Sequence, residues 1–438
     1  MEILLHYVWR HRLFPLQSLT TSDGQEVEVI DPGLHNTDAG PDFFNAKVKI
    51  GGTLWVGNVE IHTRPADWMA HGHDRDVAYD NVVLHVVGED GPSVQTSTGR
   101  TIPQLTLPVP QRVKDNYAAL LAEDRWPPCR HVVATLAPLR IHSWMSALQT
   151  ERLQQKTEAI AQRAKLAADD WEKAFFITLA RNFGFGINGD AFETWARALP
   201  LDAVGHHRDD IFQIEAIFMG MAGLLDIRAV APRRQMETAA DDYFQRLSKE
   251  WKYMAHKFHL TPIDPRVWRF LRLRPQNFPY IRISQLAQLY YSRRCSLSTI
   301  ASASTLADVR AALATEATPY WHTHYTFGHE STTASDKHLS AASTDLVIIN
   351  TVVPMLYAYG RHTGSERLCQ RAFDFLEQLK PERNSIITTW QACGLKAENA
   401  GDTQAIVQLK RNYCDRKACL RCRFGYEYLK ADTPPQGA

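Results

Sequence analysis

Residues 43–62 place the tightest constraint on how this chain folds. Phe44, Ala46, Val48 and Ile50 alternate with Asn45, Lys47 and Lys49. A two-residue period belongs to an extended strand with one face inside and one in water. Gly51-Gly52 follows, a pair suited to a tight hairpin turn. Residues 53–62 are then apolar on both parities, Leu54 and Val56 on one, Trp55, Val59 and Ile61 on the other, as expected of a central strand covered on both faces. Gly40-Pro41-Asp42 opens the first arm, and Glu60-Ile61-His62 closes the second.

Glu60 and His62 leave the same face of their strand because they are two residues apart. Whether Asp42 joins them is a matter of register. A strict two-residue turn pairs Ile50 with Thr53 and sets Asp42 opposite Ile61, on the wrong face. One extra residue at Gly51-Gly52 or Gly57 would bring Asp42 opposite His62, and glycine makes such a bulge cheap. The inward parity of Phe44, Ala46 and Val48, continued back to Asp42, favours the bulged register.

Around this hairpin the pattern predicts a helix over 1–13 ending at Pro15, a strand over 27–30, a polar loop over 34–40, a short helix over 65–69 and a strand over 81–87. A polar hairpin over 94–107 and a helix over 113–123 complete the segment. From about residue 137 the period becomes helical, with helices expected over 141–167, 170–182, 210–225, 239–257, 346–359 with a kink at Pro354, and 366–379. The expected fold is an N-terminal α/β domain with an αβββαβ-like core and mixed sheet (1–130), a large all-α C-terminal domain (131–412), and a Cys-rich terminal motif and tail (413–438).

The order helix, three strands, helix, strand, with Pro41-Asp42 ahead of Glu60-Ile61-His62, resembles the core of the PD-(D/E)XK restriction-endonuclease-like superfamily. Over nearly its full length the chain is also similar to a bacterial family catalogued as a domain of unknown function. That likeness rests on Gly40-Pro41-Asp42-Phe43, Val59-Glu60-Ile61-His62, His71-Gly72-His73, Arg274-Pro275-Gln276-Asn277-Phe278-Pro279 and the terminal cysteines. The nuclease resemblance implies hydrolysis of nucleic-acid phosphodiesters, with Asp42, Glu60 and the Ile61 carbonyl holding Mg or Mn. His62 stands where that superfamily has lysine, and an imidazole lacks the fixed charge of an ammonium.

The residues themselves leave two further readings open. His62, Asp67, His71, His73, Asp76 and His85 form a His/carboxylate set better suited to Zn²⁺, Mn²⁺ or Fe²⁺ than to Mg²⁺, which implies a metal hydrolase of another class. His85, inside an apolar strand, reads equally as a hydrogen-bonded core residue. Alternatively, the hairpin is only a hairpin, within a non-catalytic scaffold that binds nucleic acid or protein.

Near the C-terminus, Cys414, Cys419 and Cys422 have spacing suited to Zn or an iron–sulfur cluster. A fourth ligand comes from Cys393 or, tying the last turn to the first domain, from Cys129. The nuclease resemblance also implies such a staple, since some members join three terminal cysteines to a remote one.

Between Pro265 and Ala307 there is no acidic residue. Arg266, Arg269, Arg272, Arg274, Arg282, Arg293 and Arg294 accumulate there among Trp268, Phe270, Phe278, Tyr280, Tyr290 and Tyr291. Interleaved arginines and aromatics suit phosphate contacts and base stacking, though the same arginines equally suit pairing with acidic residues elsewhere. The whole chain is balanced, 49 basic against 48 acidic residues, so a nucleic-acid surface has to be local. No apolar run approaches the ~20 residues of a membrane span, and no signal-peptide pattern opens the chain. The expectation is a cytoplasmic protein with no membrane partner. Walker, dinucleotide and Gly-x-Ser-x-Gly motifs are absent from the sequence.

Overall fold

A computed structural model describes residues 2–14 and 19–431. The chain forms two compact units, one of Met1–Trp144, Thr389–Leu395 and Leu409–Ala438, the other of Met145–Thr388 and Lys396–Gln408. The first boundary thus falls at residue 144 rather than 130. The terminal segment, as far as it is described, belongs to the first unit instead of standing apart. It is held there by the buried Asn116 carboxamide, which donates to the carbonyls of Tyr428, Leu429 and Ala431 at 3.1–3.3 Å. Arg140 adds an ion pair to Glu427 at 2.8 Å.

In the first unit, α1 (Glu2–Arg10) buries Leu4, Leu5, Tyr7, Val8 and Trp9; the expected exit at Pro15 lies outside the described residues. The strands are β1 (Val27–Asp31), β2 (Leu34–His35), β3 (Phe43–Ile50), β4 (Thr53–His62), β5 (Val82–Val87) and β6 (Gln104–Thr106). They form one mixed sheet in the order β1-β3-β4-β5-β6, with β2 beside the start of β3. β1, β3 and β4 are antiparallel neighbours, and β5 and β6 continue parallel to β4. A parallel neighbour needs a crossover, and α2 (Ala66–Ala70) lies in the connection from β4 to β5. Two polar stretches differ from expectation. Residues 34–35 pair with β3, and the hairpin expected over 94–107 is a short one, closed by the Gln95–Thr101 bridge and by bonds from the Thr96 N–H to the Arg100 carbonyl and from the Ile102 N–H to the Val94 carbonyl, while Gln104–Thr106 joins the sheet edge.

β4 is central, as its composition implies, but only its second half is covered. Leu54, Trp55 and Val56 are 56, 41 and 59% exposed, whereas Val59, Glu60, Ile61 and His62 are buried. The parallel partner begins only opposite Asn58, so the turn end of the hairpin projects beyond it. Gly57 lies at that junction because a Cβ there would come within 2.4 Å of Val83 and 2.8 Å of the Asn81 carbonyl.

The hairpin does carry one extra residue, but on the other arm from the one expected. Gly51 and Gly52 make a regular turn with φ of 55° and 87°, and Ile50 pairs with Thr53. The pairing holds strictly as far as Ala46–Gly57, then shifts by one so that Phe43 faces Val59. Asn45 is the accommodating residue, with φ 55°, a left-handed conformation asparagine tolerates better than most. Its N–H points to the Asn58 side chain at 3.4 Å. Inward parity therefore passes from Ala46 to Phe43, and Phe44 is only half-buried. Continuing the shifted register sets Asp42 opposite Glu60 rather than His62.

The second unit is helical around one large apolar core, apart from a small ribbon of His324–Thr326 and His329–Glu330. Its helices start where the sequence places caps. Asp170 accepts the Lys173 N–H, and Asp210 accepts those of Phe212 and Gln213. The run expected over 239–257 is two helices, Pro232–Ala240 and Asp242–Phe258, separated by Asp241, whose carboxylate caps the second. At Pro354 no break occurs. A π-helical turn, Ile348–Val352, precedes Val353–Thr363 and absorbs the missing N–H.

This run, Ala341–Thr363, is long and apolar enough to cross a membrane, with mean hydropathy 1.4, which the reading of the sequence missed. Val347, Ile348, Val352, Met355 and Leu356 within it are buried in the core.

Candidate metal centre

At the end of β4, Glu60 and His62 face one side of the sheet, and β5 sets His85 directly opposite Glu60. The crossover after α2 returns His71 and His73 to the same place. One ring nitrogen from each of His62, His71 and His73 lies within 4.8 Å of the others. Glu60 Oε1 is 3.3 Å from His73 Nε2 and 3.7 Å from His62 Nε2, and His62 Nε2 is 3.2 Å from His71 Nδ1. Glu60, His62 and His73 are buried; His71 is exposed and gives the cluster its solvent side.

The tautomers of the inner histidines follow from one amide. Gln104 Nε2 donates to the Gly91 carbonyl at 2.9 Å, which turns its Oε1 toward His85 Nδ1 at 3.2 Å. A carbonyl only accepts, so the His85 proton is on Nδ1 and its Nε2 is free to accept. His62 Nδ1 lies 2.9 Å from that Nε2 and donates to it. The lone pair of His62 is then on Nε2, aimed at Glu60, His71 and His73. Burial, reinforced by the other imidazoles, holds His62 at about 3, and burial holds His85 at about 4, so both are neutral near pH 7. An inner ligand oriented through its second nitrogen is the usual support of a metal-bound imidazole.

Asp42 flanks this cluster. Its N–H donates to Glu60 Oε2 at 3.0 Å, and its carboxylate accepts the Ile61 N–H at 2.9 Å. Burial pushes the Asp42 carboxyl up to about 7, Glu60 adds to this, and the Ile61 N–H opposes it. The nearest base is His6 of α1, whose Nε2 is 3.4 Å from Asp42 Oδ2 and is buried without a hydrogen-bond partner. Neither carboxylate has a lysine or arginine partner among the described residues. Tyr79 closes the cluster from below, its ring stacked on His73 at 3.8 Å. Burial and then the two carboxylates raise its phenol to about 12.

Of the residues named from the sequence, Glu60, His62, His71 and His73 are brought together, with Asp42 beside them and His85 behind. Asp67 and Asp76 are drawn off: Asp67 accepts from the Arg64 backbone and guanidinium, and Asp76 caps the turn at Val77–Tyr79. His6, Tyr79 and Gln104 were not foreseen. A lone histidine on an apolar helix, an aromatic and an edge-strand glutamine carry no local signal of a site.

Cys129, Cys414, Cys419 and Cys422 also converge in the first unit. Cys129 lies within electrostatic reach of the other three, whereas Cys393 bonds to the Thr389 carbonyl and has Arg130 and Arg125 as its charged neighbours. Burial raises all four thiols, Cys422 to about 12 and Cys414 to about 11.

The arginine-rich stretch lies in the second unit and is only partly open. Arg282 is 5% exposed, bonded to Gln285 and Asn277 and set 4.4 Å over the Phe185 ring, so it is an internal residue rather than a phosphate contact. Arg266 is paired with Asp264. Arg269, Arg272 and Arg274 are exposed and have no ion pair among the described residues. The aromatics are mostly core. Trp268 and Tyr280 are buried, and Phe270, Phe278 and Tyr290 pack against the same cluster, which removes them as stacking platforms.

The profile of a family described as "Protein of unknown function (DUF2851)" matches residues 2–385, so the chain belongs to that family. The match ends before the three terminal cysteines. No curated protein and no solved structure matches the chain.

Proposed function

We propose that this member of the family is a divalent-metal-dependent phosphodiesterase acting on nucleic acid, its metal held by Glu60, His62, His71 and His73. The observation that carries the reading is the convergence of three imidazole nitrogens, those of His62, His71 and His73, with Glu60 Oε1 3.7 Å and 3.3 Å from the two buried ones and the exposed His71 on the solvent side. That donor set favours Zn²⁺, Mn²⁺ or Fe²⁺ over the Mg²⁺ implied by the nuclease resemblance. When bound, such an ion polarises a phosphoryl oxygen and makes water more acidic.

The chain's own part is preorganisation. Gln104 and His85 fix the His62 lone pair, the Asp42 N–H fixes Glu60, and Tyr79 stacks behind His73. The phosphodiester class is supported by Asp42 and Glu60 lying side by side on a helix, three-strand, helix, strand core.

The test is hydrolysis of single- and double-stranded DNA, RNA and a small aryl phosphodiester by full-length protein loaded with Mn²⁺, Zn²⁺, Fe²⁺ or Mg²⁺. Metal-dependent cleavage of at least one nucleic acid, strongest with a transition metal, is expected. No hydrolysis with any of the four overturns the reading. Gln104→Leu separates positioning from ligation. It strands a buried His85 N–H at a cost of ~1–3 kcal/mol and should weaken metal binding about 10-fold by calorimetry, as loss of an outer-shell partner does.

A further inference from the structure

Apart from the histidine centre, the first unit holds a cleft of about 490 Å³, the size of a pocket for a small organic ligand. Arg10, Arg421 and Arg423 give it charge, all three exposed, and no carboxylate among the described residues lines it. Arg10 and Arg421 have no ion pair among the described residues. Arg423 reaches Glu427 at 3.5 Å, but that carboxylate is already held by Arg140 at 2.8 Å and Lys430 at 2.9 Å. Guanidinium groups gathered without carboxylates repel one another. An anion relieves the repulsion, and the planar fork of arginine matches phosphate oxygens in particular.

The fold draws these cations from both ends of the chain. Arg10 closes α1, and Arg421 and Arg423 bracket the start of the helix Arg423–Lys430. The positive end of that helix's dipole therefore lies at the cleft and adds to the arginines.

Aromatic rings line the rest. Trp144 and Tyr413 meet edge to face with ring centres 5.3 Å apart, and Tyr426 packs against His11 at 5.0 Å. The imidazole brings no charge near pH 7, because burial, then Arg10 and Arg423, hold His11 at about 4. Aromatic surface beside guanidinium groups suits a ligand with a planar ring at one end and a phosphate at the other.

We propose that this cleft binds a nucleotide, Arg10, Arg421 and Arg423 holding its phosphates and the Trp144–Tyr413 wall its base. None of these residues belongs to the histidine centre. The site therefore stands or falls apart from the hydrolytic reading, and its occupancy is measured with no metal present.

The experiment is calorimetric titration of full-length protein in EDTA with ADP, adenosine and inorganic phosphate. ADP is expected to bind with a Kd of roughly micromolar order, and adenosine and phosphate each at least ~10-fold more weakly. Arg421→Ala and Arg10→Ala, both at exposed side chains, should each weaken ADP about 10-fold, as loss of a charge-assisted hydrogen bond does. Lys49→Ala, an exposed cation at the turn end of the hairpin, should leave ADP binding unchanged, and so should His62→Ala. Phosphate bound as tightly as ADP overturns the role of the aromatic wall, and adenosine bound as tightly overturns that of the arginines. No ADP binding, or binding unaltered in both arginine variants, overturns the site.

Discussion

His62→Ala is expected to abolish tight transition-metal binding and to lower metal-dependent phosphodiester cleavage by at least ~100-fold, beyond the ~10–100-fold typical of losing an outer-shell partner. In the proposed centre His62 is the donor whose lone pair the protein aims most completely, through His85 and Gln104. Its removal subtracts one of four donors and leaves the His85 acceptor facing a hole. Glu60→Ala should be as damaging, since its Oε1 is shared between His62 and His73. Asp42→Ala should also abolish cleavage, because Asp42 orders the strand end through the Ile61 N–H. His71→Ala should cost less metal affinity, because His71 is exposed and its ring is less constrained by packing. Calorimetric titration with Mn²⁺ and Zn²⁺, with circular dichroism to confirm folding, reads all four variants. Unchanged affinity and rate in His62→Ala and Glu60→Ala together would remove the histidine cluster from consideration.

The second large effect is expected at a residue that touches no metal. Asn45→Val should lower stability by ~2 kcal/mol or more and weaken metal binding, while Asn45→Gly should preserve both. A left-handed conformation costs an ordinary L-residue ~1–2 kcal/mol, and a β-branched side chain fits it worst. The alternative open to the valine variant is to straighten the strand. That shifts the register by one and moves Asp42 opposite Ile61, turning a carboxylate toward the face where Val59 and Ile61 are buried. Glu60 would then lose its N–H donor. Urea unfolding at constant m-value, together with the same metal titration, measures both consequences. Equal stability and equal affinity in Asn45→Val would show that the bulge does not hold the centre together.

Much of the architecture was legible because the signals were local. Alternation over residues 44–50, Gly51-Gly52 and the apolar run around Val59 fixed a hairpin with a central strand. Asp170 and Asp210 marked helix starts that the structure reproduces. The sequence misled where a partner's extent decided burial. Leu54, Trp55 and Val56 look like core, yet β5 does not reach them. It also misled where two roles share one chemistry, since Trp268, Phe270 and Tyr280 serve a helical core as well as they would a stacked base. Arg282 is the clearest instance, a cation satisfied by Gln285, Asn277 and an aromatic face inside the protein.

For the candidate site, the sequence by itself determined which residues were candidates to come together: Glu60 and His62 on one strand face by the two-residue period, His71 and His73 close by, and a need for one extra residue if Asp42 was to join them. Only the tertiary structure decided where that residue sits, because a bulge on either arm restores the face, and the choice depends on the backbone each residue tolerates and on where β1 gives way to β2 beside β3. It likewise decided that His85 is both a core residue and the support of His62, and that Cys129 rather than Cys393 meets the terminal cysteines. Those are contacts between residues far apart along the chain. Local spacing holds no record of them, since they are set by how strands and the returning terminus pack.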